Sequence, residues 1–263
     1  MTNTKILISV FTFNVENFIE SLFLDLEKYG HLDKEIICLN NKSSDNTVKI
    51  INKLKKKMKI SNLKIISHST NMGYGYNKKI SFDYAINNNF EKIVFIHGDN
   101  QYPASGISEM INLLDNCTLA YGSRFLNEIS VKQNMPKLKY FANPILTKII
   151  NILANKKYSE YFSGFRGYRV SDLKKFEYKK LSNSWMFEQQ MMFEIIKKRM
   201  KIEEFMIPTV YGEQVSLVPP IRYCISLFKS IIYYFIIKIL SIPKHTHKTH
   251  KNIKRGNVKT IFP

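Results

Sequence analysis

From Lys5 to Tyr121 the chain alternates short apolar runs with longer segments whose apolar residues recur at helical spacing, and few folds accommodate that alternation. The apolar runs are Lys5–Val10, Glu35–Leu39, Leu63–Ser67, Lys92–Ile96 and Thr118–Tyr121. Between them lie helical patterns near Glu16–Lys28, Asp45–Lys57, Tyr76–Asn88 and Ser105–Leu114; Ile19, Leu22, Phe23 and Leu26, for example, share one helix face. A strand that follows a helix that follows a strand returns parallel to the first through a right-handed crossover. The runs are almost continuously apolar, as strands covered on both faces must be. The expectation is an α/β domain with a mostly parallel sheet flanked by helices.

Parallel sheets of this kind bind ligands beyond the carboxyl ends of their strands. The residues after each run are Phe11 to Asn14, Asn40 to Asp45, His68 to Gly75, His97 to Pro103 and Gly122 to Arg124, all polar or glycine-bearing. Together they predict a single functional rim. Within it, Ile93-Val94-Phe95-Ile96-His97-Gly98-Asp99 ends a buried strand on an acid held by the rigid sheet. A carboxylate so placed suits a hard divalent ion that takes its remaining ligands from phosphate and water.

The charge balance is strongly basic, with 40 Lys plus Arg against 21 Asp plus Glu and a formal charge of +19. That favours polyanionic partners: nucleic acid, anionic lipid or phosphorylated substrates. The cysteines Cys38, Cys117 and Cys224 are widely spaced and show no C-x-x-C pattern, which argues against a zinc site or a disulfide framework. The run Ile6–Phe13 lacks a basic lead-in and a small-residue cleavage site, so it reads as a strand rather than a leader.

The second half differs in character. A helix is expected over Pro136–Lys157, an aromatic and glycine-rich segment over Tyr161–Val170, a helix over Asn183–Met200 and a strand over Ile202–Val210. Ile221–Ile242 is apolar and aromatic but interrupted by Arg222, Lys229 and Lys238, a poor pattern for a membrane span and a good one for an amphipathic helix lying on an anionic surface. From Lys244 to Pro263 there are six Lys or Arg, three His and no acid. The expected domains are 1–215, a membrane-surface amphipathic helix over 216–243 and a basic tail over 244–263. His245, His247 and His250 in that tail read as solvated charge, as does the lysine run from Lys53 to Lys59.

The rim segments, in order, resemble the family 2 inverting glycosyltransferases of GT-A (Rossmann-like) fold, in particular the dolichyl- and polyprenyl-phosphate sugar synthase branch. Val10-Phe11-Thr12-Phe13-Asn14-Val15-Glu16 is similar to that family's V-P-A-Y-N-E-E, and Glu35–Thr47 to E-I-I-V-V-D-D-G-S-T-D-N-T. Asn71-Met72-Gly73-Tyr74-Gly75 resembles N-x-G-x-G, Gly122-Ser123-Arg124-Phe125 matches G-S-R-F, Ser163–Tyr168 resembles S/T-G-F/Y-R-x-Y, and Phe187–Met192 resembles F-D-Q-E-M-L. The resemblance implies a nucleotide-sugar site built from Phe13, Asn14, Glu16, Asn40, Asn41, Asn71, Gly73, Gly98 and Gln101. Asn40 stands where the family has an aspartate that grips the base. His97 replaces the first acid of the D-x-D pair and Asp99 keeps the second, so the resemblance implies Mg²⁺ or Mn²⁺ held by Asp99 with His97 beside it. Arg124 and Arg166 are implied phosphate ligands, and Glu188 an acid on the acceptor side.

The expected reaction is inverting transfer of a hexosyl group from a UDP- or GDP-sugar to a polyprenyl phosphate, by a peripheral enzyme at the cytoplasmic, inner face of the membrane. A glycan acceptor, with Glu188 as base, is the alternative. A non-catalytic basic module binding membrane or RNA would account for the charge but not for the ordered rim, and no nucleic-acid partner is expected.

Overall fold

In the computed structural model, residues 4–126, 135, 137–208 and 220–237 are described. Seven strands form one sheet: β1 (Ile6–Thr12), β2 (Glu35–Asn40), β3 (Leu63–Ser67), β4 (Lys92–His97), β5 (Leu119–Ser123), β6 (Arg166–Arg169) and β7 (Ile202–Met206). The helices are α1 (Ile19–Lys28), α2 (Thr47–Lys57), α3 (Tyr74–Asn87), α4 (Gly106–Leu113), α5 (Lys137–Ala154), α6 (Val170–Leu173), α7 (Met186–Lys197) and α8 (Pro220–Ile231), the last continuing as a π-helical turn over Ile232–Ile237.

The strand order is β3-β2-β1-β4-β6-β5-β7. Every pairing is parallel except those of β6, which is antiparallel to both β4 and β5. Successive strand residues face opposite layers. Leu7 and Phe11 enter one core with Phe82 of α3, Ile150 of α5, Phe187 and Met191 of α7 and Leu227 of α8. Ile8 and Val10 enter the other with Leu22 of α1, Ile51 of α2 and Met110 of α4. This is the α/β, GT-A-type sandwich the sequence predicts.

Three expectations need correcting. The strands β1, β2, β4 and β5 run to Thr12, Asn40, His97 and Ser123, so residues assigned to loops are the last strand residues and are held by the ladder (Phe11 opposite His97, Thr12 opposite Asn40, Ser123 opposite Met206). The Tyr161–Val170 segment, read only as aromatic and glycine-rich, supplies a strand, and that strand separates β4 from β5. Because β6 is antiparallel, it begins at the edge where its neighbours end, so the Ser163–Phe165 turn enters the rim beside β4. β7 is shorter than the expected Ile202–Val210, and Val210, Pro136, Lys238 and the basic tail with its histidines lie outside the described residues. The Lys53–Lys59 run closes α2 and is mostly exposed, with Lys57 3.6 Å from Glu20.

Candidate active site

The loops after β1, β2 and β3 are tied together by short amide side chains. Each turns through a left-handed residue: Asn14 (φ 52°), Lys42 (φ 66°) and Gly73 (φ 92°). Asn tolerates that region better than most side chains, and glycine adopts it freely. Asn14 Oδ1 accepts the Ser44 amide at 2.8 Å, and Asn14 N donates to Ser43 Oγ at 3.0 Å. Glu16 Oε2 caps the Asn46 amide at 2.9 Å, while Glu16 N donates to Asp45 Oδ2 at 3.0 Å. Asn40 is buried, its Oδ1 accepting Ser43 N at 3.0 Å and its Nδ2 donating to Ser67 Oγ at 3.3 Å. Asn41 donates to Asn71 Oδ1 at 2.8 Å and accepts Met72 N at 2.9 Å; Asn71 Oδ1 also accepts Gly73 N at 3.0 Å. Phe13 lies half-buried beside them. The structure thus brings Phe13, Asn14, Glu16, Asn40, Asn41, Asn71 and Gly73 to one edge.

The tip of β4 carries the next group. Gly98 is close-packed: a Cβ there would meet Phe11 O, Thr12 Cγ2 and Val15 Cγ2, each at 3.0 Å. Asn100 is left-handed (φ 53°), and Asp99 Oδ1 accepts the Gln101 amide at 3.2 Å. The His97 ring is enclosed by aromatics, stacked on Phe11 with edge contacts to Tyr74 and Tyr102. Gly164, in the turn entering β6, presses on the same ring; a Cβ there would lie 2.7 Å from Cε1. Burial lowers the imidazole pKa despite the nearby Asp99 carboxylate, which favours the neutral, metal-ligating form.

Beneath His97 lies a buried charge cluster. Glu188 Oε1 is 2.6 Å from Lys78 Nζ and accepts the Tyr74 hydroxyl at 2.7 Å. Glu188 Oε2 accepts the Tyr168 hydroxyl at 3.1 Å and lies 3.5 Å from Arg166 Nε. Lys78 and Arg166 are fully buried, and Lys78 Nζ sits 3.4 Å from the centre of the Phe95 ring. Burial alone would raise the Glu188 carboxyl, but Lys78, Arg166 and the hydrogen bonds from Lys78 and Tyr74 hold it below the ordinary carboxylate range. Burial also pulls Lys78 down to about 8, against the pull of Glu188.

An ionised carboxylate only accepts, so Tyr74 must donate to Glu188. Its oxygen, 3.3 Å from His97 Nε2, then accepts from that nitrogen. The proton resides on Nε2 and the lone pair on Nδ1.

The two candidate arginines are engaged internally. Arg166 donates to Ser163 O, Glu188 O and Tyr161 O at 2.7–2.9 Å. Arg124, at the end of β5, forms a bidentate pair with buried Glu160, Nε to Oε1 at 3.1 Å and a terminal nitrogen to Oε2 at 2.6 Å. Both stand at the rim edge, with Arg166 between β4 and β5 and Arg124 beyond it.

Sequence reasoning missed Lys78 and Glu160, and gave no role to Tyr74, Gly164 and Tyr168 although they lie within its motifs. Lys78 was findable: Tyr74, Lys78, Phe82 and Ala85 fall on one helix face, and a lysine on an apolar stripe calls for a buried partner. Glu160 carries no comparable signal, since it lies in a loop and meets Arg124 only through the β5–β6 pairing.

Among the described residues no three His, Cys, Asp or Glu side chains gather into a metal cluster. One carboxylate with a neutral imidazole two residues before it still fits an ion that draws most of its ligands from a diphosphate and water; imidazole suits Mn²⁺ better than Mg²⁺.

An open, mostly parallel sheet whose strand ends carry hydrogen-bonding loops and a tip carboxylate is an α/β architecture with its candidate ligand site gathered at one rim. The family model for glycosyl transferase family 2 matches residues 8–176, more than half of the chain, and the protein belongs to that family. Membership makes it a glycosyltransferase. An uncharacterized protein of Methanocaldococcus jannaschii is 25% identical over 230 residues, 86% of this chain and 97% of that protein. S. aureus TarS 1-349 in complex with UDP-GlcNAc aligns with a TM-score of 0.56 and 17% identity over 87% of this chain and 67% of that one. In another TarS 1-349 structure the chain spans 58% of its counterpart. Glucosyl-3-phosphoglycerate synthase from Mycobacterium tuberculosis, in complex with Mn²⁺, UDP and glucosyl-3-phosphoglycerate, aligns with a TM-score of 0.57 and 15% identity over 92% of this chain and 82% of that one. At these identities the solved structures establish the GT-A-type fold.

Proposed function

We propose that the protein is an inverting, metal-dependent hexosyltransferase that moves sugar from a nucleoside diphosphate donor to a polyprenyl phosphate at the cytoplasmic face of the membrane. The observation that carries the donor half is the Asp99–His97 tip of β4, set among the loops of β1 to β3. Asp99, with Nδ1 of His97 beside it, would hold Mg²⁺ or Mn²⁺, which supplies charge neutralisation on the leaving diphosphate. Asn14, Asn40, Asn41 and Asn71 shape the nucleotide pocket by fastening its loops through neutral amides, with Gln101 following Asp99 in the loop after β4. Arg124 and Arg166, engaged as they are, act by holding the β5 end and the β6 turn in place.

The acceptor half rests on Glu188. A sugar hydroxyl needs a base near the anomeric carbon. Glu188 is a poor one, because protonating it would strand Lys78 and Arg166 in the interior. An acceptor phosphate is already anionic and needs none. Among the described residues no helix is long and apolar enough to cross a membrane, while α8 exposes Ile225 and Phe228 and buries Leu227 and Ile231. That pattern supports attachment of the 216–243 segment to a membrane surface, aided by the basic 244–263 tail.

The test is transfer from radiolabelled UDP- and GDP-sugars with undecaprenyl or dolichyl phosphate in detergent. Label in the organic phase supports the proposal. Label appearing only on a water-soluble glycan would transfer the assignment to the glycan-acceptor enzyme.

A further inference from the structure

α5 turns apolar side chains outward while burying two polar ones beside Ile150. Its buried face carries Asn143 and Thr147, each under a tenth exposed, and the Thr147 hydroxyl is buried with no hydrogen-bond partner among the described residues. Its outward face carries Phe141 (63% exposed), Ile145 (61%), Ile149 (44%) and Ile152 (71%), which recur at helical spacing along one line. A helix facing water has the reverse arrangement. Contiguous exposed apolar surface of this kind marks a contact with something other than water.

The charges on the helix identify the contact. Its 18 residues hold no Asp or Glu, and its charged side chains are Lys137, Lys139 and Lys148, with Lys156 and Lys157 just beyond its end. Lys148 is exposed within the apolar line itself, where a long aliphatic stem can lie in a hydrophobic layer and lift its ammonium to a phosphate level. A second copy of the helix would oppose lysine to lysine with no acid to neutralise them. An anionic bilayer satisfies both the apolar line and the uniformly positive charge.

We infer that α5 docks in the plane of an anionic lipid surface, a membrane contact distinct from the 216–243 segment and extending the membrane placement proposed above. The helix is about 27 Å long at 1.5 Å per residue, enough to lie along the surface. In sequence it falls between two rim segments, Ser123–Arg124 and Ser163–Gly164, so its docking would set the catalytic rim beside the headgroups. Its buried face and that of α8 join the same core, through Ile150 and Leu227, so the two contacts are on the same layer of the fold.

The experiment is vesicle co-sedimentation of the full chain with phosphatidylglycerol–phosphatidylcholine and with pure phosphatidylcholine vesicles. It compares wild type with the triple variant Phe141→Ser, Ile145→Ser, Ile152→Ser. We expect wild type to partition onto the anionic vesicles and the variant to lose at least about tenfold in partition coefficient, since three apolar side chains no longer enter the lipid. The variant should keep its UDP affinity and its melting temperature to within about 2 °C, as outward-facing substitutions do. Full vesicle binding by the variant would overturn the inference while leaving attachment through the 216–243 segment intact. Failure of wild type to bind anionic vesicles would overturn both. A large drop in melting temperature would mean that the chain itself covers this face, and a wild-type dimer that the variant dissociates would mean that a second copy does. Either result also refutes lipid docking.

Discussion

The two halves of the rim are built from opposite materials. On the β1–β3 side, loops are fastened by neutral amides whose partners are backbone groups and other short side chains, as with Asn14 to Ser44 and Asn41 to Asn71 and Met72. On the β4–β6 side, an acid, a lysine, an arginine and two tyrosines are buried together beneath His97. The amide half is fastened mostly by neutral groups, with the Glu16 and Asp45 carboxylates bonded to backbone amides and no buried cation among its described residues, so its members can be changed one at a time at modest cost. The ionic half is an all-or-none unit, since each charge is tolerable only while its partners remain.

The largest effect expected from this contrast is in Glu188→Ala. It leaves Lys78 and Arg166 uncompensated in the interior and should destabilise the protein by about 3–5 kcal/mol in urea titration. A loss no greater than that of an amide-side substitution would erase the distinction between the halves.

Acid tests the buried cluster next. Glu188, Asp45 and Asp172 all have depressed folded-state pKa values. In Asp45, burial is outweighed by hydrogen bonds from Thr47 and from the Glu16 and Thr47 amides; in Asp172, by bonds from Lys175 and Thr118. Such groups add stability that is fully present above the unfolded carboxylate range of about 4 and is lost as pH falls through the lower folded values. Stability should therefore hold between about pH 5 and 7 and fall below pH 4, and Glu188→Gln should flatten that fall. An unchanged acid slope in Glu188→Gln would contradict the role given to the cluster.

Tyr74→Phe removes the hydroxyl linking Glu188 to His97. It frees the imidazole tautomer, and residues that orient a ligand in this way are worth about tenfold or more in metal affinity. Titration of Mn²⁺ in the presence of UDP checks this, and ¹⁵N shifts of the His97 ring should report loss of the Nε2-protonated form. The smallest change is expected from Asn41→Ala, which unties Met72 N and Asn71 for about 1–2 kcal/mol at most. It should raise KM for the donor while leaving kcat nearly unchanged.

Much of the fold was legible because α/β periodicity is local: each strand and helix of the first half announces itself within a few residues, and parallel order follows from crossover geometry. The antiparallel insertion of β6 was not, because four residues of mixed character, Arg166-Gly167-Tyr168-Arg169, carry no alternation and acquire strand form only by pairing with β4 and β5. The same division runs through the site. Asp99 and the asparagine loops could be read from their positions after strands. The Lys78–Glu188 pair could not, since it joins α3 to α7 between residues 110 positions apart. Arg166 was legible as important but not as buried, because its acceptors are backbone carbonyls, which sequence does not single out.

The account depends most on the carboxylate at the end of β4. Isothermal titration of UDP into wild type and Asp99→Asn, each with and without Mn²⁺, addresses it directly. Wild type should bind UDP markedly more tightly with the ion present, and the variant should bind equally weakly in both conditions. Ion-enhanced binding that survives in Asp99→Asn, or wild-type binding that ignores the ion, would contradict the assignment.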